Sequence, residues 1–137
     1  MTSPECIFCK IAGKEISSLI VYEDEFVLAF LDIKPVNLGH TLVIPKNHYE
    51  NLYDCPDKTL EVLAKKIRDI AIAVKKGTGA DGINIEMNNE RSAGQIIDHA
   101  HFHIIPRMAG DGLRHWQGKE FSEKVLGEAA QKIKNSF

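Results

Sequence analysis

The run His99-Ala100-His101-Phe102-His103-Ile104-Ile105-Pro106 holds three of the chain's six histidines at alternate positions. Alternation is the period of an extended strand, where successive side chains point to opposite faces and each residue advances about 3.4 Å. Read that way, the imidazoles of His99, His101 and His103 line one face with neighbours roughly 7 Å apart. Ala100, Phe102 and Ile104 turn the other way, into a core. A core strand has no need of such a row. Imidazoles near neutral pH can serve as metal ligand, nucleophile or proton donor, so the row marks a site.

The run is preceded by a small polar loop, Asn88 to Gln95, in which Gly94 permits close backbone approach. Successive amides there predict an anion-binding nest. Ile83, Ile85 and Met87 alternate with Asn84, Glu86 and Asn88, the pattern of a half-buried strand. Further upstream, Leu60, Leu63, Ile67, Ile70 and Val74 recur at helical spacing and predict a helix over Pro56–Lys76. Asp54 or Asp57 is its expected N-cap and Gly77 its expected stop. Ile20–Tyr22 and Phe26–Leu31 read as strands joined at Glu23-Asp24-Glu25, and His40–Ile44 as a third strand stopped by Pro45. Pro4 to Gly13 reads as a short helical turn with Cys6 and Cys9 on one face. Phe121 to Ile133 is a weakly amphipathic helical segment. Strands on both sides of one long helix give an α+β class with a mainly antiparallel sheet. The 137 residues fit one domain, with no repeat, low-complexity tract or linker.

A hydrophobic content of 44% with 26% charged residues is that of a soluble globular protein. A net charge of −2 and a pI near 6.3 exclude a basic field for long nucleic acids, so an anionic ligand has to be held by local donors. Neither a secretory leader nor a membrane-length apolar run is present, which predicts a cytoplasmic protein without a membrane partner. Three cysteines, two of them in Cys6-Ile7-Phe8-Cys9, are not a secreted disulfide framework.

The residues alone leave two chemistries open for the histidine row. Alternate imidazoles can chelate a catalytic zinc with an open position for water. A neutral imidazole can instead attack an electrophile and form a covalent intermediate. The Cys-x-x-Cys pair is open in the same way. A redox motif calls for a βαβ context that this segment lacks, a free pair has no role, and a zinc site requires two further ligands.

Several stretches together resemble the histidine triad family of nucleotide-binding hydrolases and transferases. They are Cys6-Ile7-Phe8-Cys9-Lys10-Ile11, Phe30-Leu31-Asp32-Ile33-Lys34-Pro35, Gly39-His40-Thr41-Leu42-Val43-Ile44-Pro45-Lys46-Asn47-His48, Asn88, Ala93-Gly94-Gln95 and His99 to Arg107. They stand in family order over roughly the first four-fifths of the chain. The resemblance implies one such domain over 1–137, with a zinc-binding segment about 4–13, a catalytic strand about 98–106 and a tail about 107–137. Its fold would be a mainly antiparallel five-stranded sheet with one long helix and short terminal helices.

By the same resemblance His101 is the nucleophile toward the α-phosphorus of a nucleotide. His103 and His40 hold the phosphoryl oxygens, Gln95 lies near the leaving group, and Asn88 contacts phosphate or ribose. Asp32 accepts from the ribose hydroxyls, a diol that suits two carboxylate oxygens. Phe8, Ile11, Phe30, Ile33 and Leu42 would line the base slot; as residues they read equally as ordinary core. Cys6, Cys9, His48 and His99 would hold a structural zinc, while Cys55 and His115 are uninvolved. Ile96 stands where the family often carries a hydroxyl residue, which removes one donor to the leaving group. The implied activity is cleavage at the α-phosphate of purine ribonucleotide conjugates (phosphoramidates, diadenosine polyphosphates or adenylated adducts) by a homodimer. The alternatives are a nucleotide-binding regulatory module with little turnover and a metallohydrolase with the row as zinc ligands.

Overall fold

The computed structural model describes residues 1–137. Its elements run α1 (Ile7–Ala12), β1 (Ile20–Glu23), β2 (Val27–Leu31), β3 (Thr41–Pro45), α2 (Asp57–Thr78), β4 (Gly82–Glu86), β5 (Phe102–Arg107) and α3 (Glu123–Lys134). The strands form one antiparallel sheet of five in the order β1-β2-β3-β5-β4, so the class is the expected α+β. β2, and β3 beyond Thr41, are unbroken apolar runs because both of their faces are covered. Val27, Ala29, Val43 and Ile104 pack on Leu63, Ile67 and Ile70 of α2. On the opposite face Leu28, Phe30, Leu42 and Ile44 pack on Phe8 and Ile11 of α1. Leu63 and Ile104 are at most 1% exposed, and burying each contributes roughly 2 kcal/mol toward fixing α2 on the sheet.

Asp24 builds the β1–β2 turn. Its carboxylate accepts from the amides of Phe26 and Val27 and from the Tyr22 hydroxyl. Helix α2 departs from expectation at both ends. It starts after Pro56 with no side-chain cap, because Asp54 closes a capping box with Asn51 in the preceding 3-10 turn. It runs through Gly77 to Thr78, and the left-handed residue that ends it is Gly79, at φ 69°. Strand β4 is also only partly as expected. Ile83 packs against the core, but Ile85 stands exposed because β4 is an edge of the sheet.

The histidine run is less extended than its alternation predicts. The ladder begins at Phe102, not near 98, and extends to Arg107. His99 lies at a bend and Ala100 bonds out of the sheet, its amide donating to the Tyr49 carbonyl at 2.7 Å. Phe102 and Ile104 do face the α2 side. The tail forms α3, capped by Ser122, with no buried residue. No helix is long and apolar enough to cross a membrane.

Candidate active site

Two adjacent strands deliver the histidines. Leu42 of β3 pairs with His103 of β5, and Glu86 of β4 pairs with His103 from the other side. His40 sits immediately before β3 and His101 immediately before β5. Gly39 sets the entry to β3. It adopts φ +100°, and a Cβ there would lie 2.4 Å from Cγ2 of Thr78. Thr78 is itself fixed by its hydroxyl, which donates to the Val74 carbonyl at 2.7 Å. The end of α2 thus presses on the residue before His40, a close approach that only glycine permits.

A cleft of about 610 Å³ opens over these residues. Its walls include His101, His103, Asp32, Asn88, Phe8, Ile11, Phe30, Ile33 and Leu42. Phe8 meets Phe30 edge-on with centroids 5.4 Å apart and His101 at 5.2 Å, so α1 closes one wall and braces the imidazole. The rings of His101 and His103 lie 5.1 Å apart, nearer than a flat strand would set them.

Backbone groups assign the tautomers. A neutral imidazole carries one N–H and one lone pair, so a partner that can only accept or only donate fixes both nitrogens. Nδ1 of His101 lies 2.7 Å from the His99 carbonyl and must donate to it, which leaves the Nε2 lone pair free. Nδ1 of His40 accepts from the Val36 amide at 3.1 Å, so its proton sits on Nε2. That Nε2–H points at Nδ1 of His103, 2.9 Å away, which must accept. His103 therefore also carries its proton on Nε2. Nε2 of His40 has no lone pair for a cation, so the cluster Asp32, His40 and His103, whose polar atoms lie within 4.8 Å, is not built to hold a metal.

Burial is the largest influence on the titration of these rings. It holds His40, His101 and His103 below the ordinary imidazole value, and His99 at about 4. At His40, Asp32 and Glu86 oppose the shift; at His101 the bond to the His99 carbonyl opposes it. All four rings are neutral at pH 7, the form a nucleophile or metal ligand needs.

One turn away, Cys6, Cys9, His48 and His99 gather their ligand atoms within 4.8 Å of one another. Sγ of Cys6 lies 3.4 Å from Nδ1 of His99, and Sγ of Cys9 lies 3.5 Å from Nδ1 of His48 and 3.6 Å from that of His99. Zn–S bonds of about 2.3 Å and Zn–N bonds of about 2.0–2.1 Å at tetrahedral angles give S···N edges of about 3.6 Å. The cluster therefore fits a closed tetrahedral site. Nε2 of His99 bonds the Pro45 carbonyl at 2.8 Å, which turns the Nδ1 lone pair toward the sulfurs. His99 is thus committed to the cysteine side, and the three histidines of the row do not converge on one point.

The HIT domain family model matches residues 13–110. The chain belongs to the HIT, or histidine triad, family. An uncharacterised HIT-like protein of Methanocaldococcus jannaschii is 56% identical over 107 residues, 78% of this chain and 82% of that one. An adenylylsulfatase of Arabidopsis thaliana is 40% identical over 94% of this chain and 66% of its own. An adenosine 5'-monophosphoramidase of Candida albicans is 35% identical over 96% and 91%. Among solved structures, a Streptococcus mutans protein superposes with TM-score 0.92 at 43% identity, covering 98% of this chain and 87% of that one. A zinc-bound histidine triad family protein of Mycobacterium smegmatis superposes with TM-score 0.77 at 37% identity, covering 97% and 98%.

In this HIT chain the loop before the run differs from expectation. The amides of Ala93, Gly94 and Gln95 donate to carbonyls of Glu90 and Arg91 within a 3-10 turn, so they form no anion nest. Gln95 is 2% exposed and does not line the cleft. Its Oε1 accepts from the Glu90 amide, and its Nε2 donates to the carbonyls of Glu50 and Ile97. It braces the loop with every polar atom engaged. Arg91 reinforces the same turn through the carbonyls of Gln95 and Ile96 and through Asp98. His40 touches its neighbours beneath the cleft surface rather than lining it. Sequence reasoning missed Ser17, Ser18, Lys34 and Ile97 on the cleft walls, and the Val36 amide. No spacing marks the first four, and a backbone donor has no signature in sequence.

Proposed function

We propose that this HIT protein cleaves purine ribonucleotide conjugates at the α-phosphate through a nucleotidyl-His101 intermediate. The observation that carries the reading is the bond from Nδ1–H of His101 to the His99 carbonyl at 2.7 Å, which leaves Nε2 as a buried, neutral nucleophile beside the cleft. Nε2 attacks phosphorus, the bond from phosphorus to the leaving group breaks, and that group departs with the electron pair. Water then cleaves the P–N bond and releases the nucleoside monophosphate. His103 presents an N–H toward the phosphoryl oxygens, with His40 behind it, so that growing negative charge meets a fixed donor. Asp32 takes the ribose hydroxyls and Asn88 a phosphate or ribose oxygen, while Phe8, Ile11, Phe30, Ile33 and Leu42 hold the base. Gln95 orders the loop on the leaving-group side.

Relatives named for action on adenylyl sulfate and on adenosine phosphoramidate support a nucleotide α-phosphate as the reacting centre. The tetrahedral fit of Cys6, Cys9, His48 and His99, and the zinc-bound relative, support a structural zinc. When bound it would supply cross-linking of α1 to the bend at His99 and no chemistry on substrate. A homodimer accords with the exposed β4 edge and Ile85. The catalytic-metal reading is disfavoured because His99 faces the cysteines and Nε2 of His40 carries a proton.

The test is single-turnover reaction with a labelled adenosine phosphoramidate, acid-free quenching and peptide mapping by mass spectrometry. The adenylyl label should appear on His101. His101→Asn should lose about two to three orders of magnitude in rate and still bind AMP. Label on another residue, or wild-type rate in His101→Asn, would overturn the mechanism.

A further inference from the structure

The proton arrangement at His40 and His103 depends on one backbone amide, that of Val36, and the structure shows what holds that amide in place. Val36 lies in the loop between β2 and β3, flanked by Asn37. Asn37 is tied three ways: its carbonyl accepts from the His40 amide at 3.0 Å, and its side-chain amide donates to the Pro106 carbonyl at 2.8 Å and to Asp111 at 2.8 Å. Asp111 is the hub. Its carboxylate also accepts from Nε and Nη2 of Arg107 at 2.9 and 2.7 Å, and from the amides of Met108 and Leu113. Its side chain is only 11% exposed, and Arg107's 17%, so the pair is shielded from water and holds a defined geometry. Asp111 lies one residue beyond the stretch matched by the family model.

We propose that Asn37 and Asp111 are positioning residues that hold the Val36 amide on His40 and so fix both His40 and His103 as Nε2–H tautomers. This rests on the reading of His103 as the phosphate-facing donor. The physical need is plain. A neutral imidazole free to choose would place its proton on Nδ1 part of the time. With the proton on Nδ1 of His40, Nε2 would accept from Nδ1–H of His103. The nitrogen that faces the phosphoryl oxygens would then be a lone pair, repelled by the charge it should stabilise. A donated amide hydrogen removes that alternative, because an amide cannot accept. The tether runs from the segment after β5, the strand that carries His103, to the loop before β3 that carries His40. Neither Asn37 nor Asp111 lines the cleft, so both act through His40 and not on substrate.

The experiment uses the full chain with its metal, labelled with ¹⁵N, and reads each imidazole by its long-range ¹H–¹⁵N pattern. In the unaltered protein His40 and His103 should each show a single Nε2–H tautomer and His101 a single Nδ1–H tautomer. Asn37→Ala and Asp111→Asn should mix the tautomers of His40 and His103 and leave His101 as it is. With adenosine phosphoramidate, kcat should fall of the order of ten- to a hundred-fold, less than outright loss of a donor, with KM held within about threefold. Val36→Pro, which deletes the amide hydrogen itself, should reproduce the mixing. Unchanged tautomers in both side-chain variants would overturn the proposal by making the tether merely structural. Mixed tautomers with unchanged kcat would overturn its catalytic consequence. If Asp111→Asn does not fold, Asn37→Ala and Val36→Pro give the same two readings. Absence of turnover in the unaltered chain would end the hydrolase reading, and the tautomer pattern would still decide the tether's role.

Discussion

Phe8→Ala separates the two roles the structure combines in one ring. Phe8 is 7% exposed and packs edge-on against Phe30, His101 and His99 at 5.4, 5.2 and 6.0 Å. Truncating a phenylalanine in a closed core costs about 3–5 kcal/mol, part of it for the void left behind. Phe8 borders the open cleft, so water enters the vacated space and the cost falls to the low end, about 3 kcal/mol. For a chain of this size that is a drop of about 10 °C in Tm by calorimetry. The ring also forms a wall of the proposed base slot. Stacking on an aromatic contributes about 1–3 kcal/mol per base, so Kd for AMP by titration calorimetry should rise about fivefold or more. The bond from His101 to the His99 carbonyl is untouched, so kcat should hold within about threefold. An AMP affinity within about twofold of the unaltered protein would remove Phe8 from the base slot. A kcat collapse as deep as that of His101→Asn would refute the claim that the carbonyl suffices to orient the nucleophile.

Cys6→Ser combined with Cys9→Ser should abolish about one zinc per chain in metal analysis and lower Tm, since metal binding and folding are coupled; an unaltered protein devoid of metal would contradict this. Stability should also fall on the acid side. Burial depresses His40, His99, His101 and His103 in the folded state, so the unfolded chain takes up protons first as pH drops below about 6.5. Their contribution is constant above that value and declines as pH falls from it toward the depressed folded values, about 4 for His99. A melting temperature flat or rising from about pH 7 to about pH 5 would be inconsistent with it. Gly39→Ala should cost about 1–3 kcal/mol and reduce kcat, because the added Cβ meets Thr78 at 2.4 Å in a left-handed backbone. Thr78→Ser, which removes Cγ2, should restore part of the loss in the double variant and none of the φ cost.

Much of the site was legible because its residues are close in sequence or sit in short patterned stretches. The alternation of His101 and His103 marked their shared face, and the helical spacing of Leu63, Ile67 and Ile70 marked α2. The structure diverged where a local rule met a tertiary competitor. Asp54 can cap a helix, but Asn51 offered it a nearer partner. Gly77 can end a helix, but the tight contact that matters is Thr78 against Gly39, which needs one more residue of α2. The polar loop at Asn88 to Gln95 suggested free amides, and the 3-10 turn consumed those of Ala93, Gly94 and Gln95 internally.

Residue types and their spacing alone determined the class of fold, the histidine row, the cysteine pair and the apolar stripe, because periods of two and of three to four residues are set by backbone geometry. Only the tertiary structure decided which nitrogen of each histidine carries the proton. Those assignments come from the carbonyls of His99 and Pro45 and the amide of Val36, groups every residue possesses and no side-chain pattern reveals. The division of labour between His99, turned to the sulfurs, and His101, turned to the cleft, rests on the bend that ends at His99, and a bend is fixed by what packs around it.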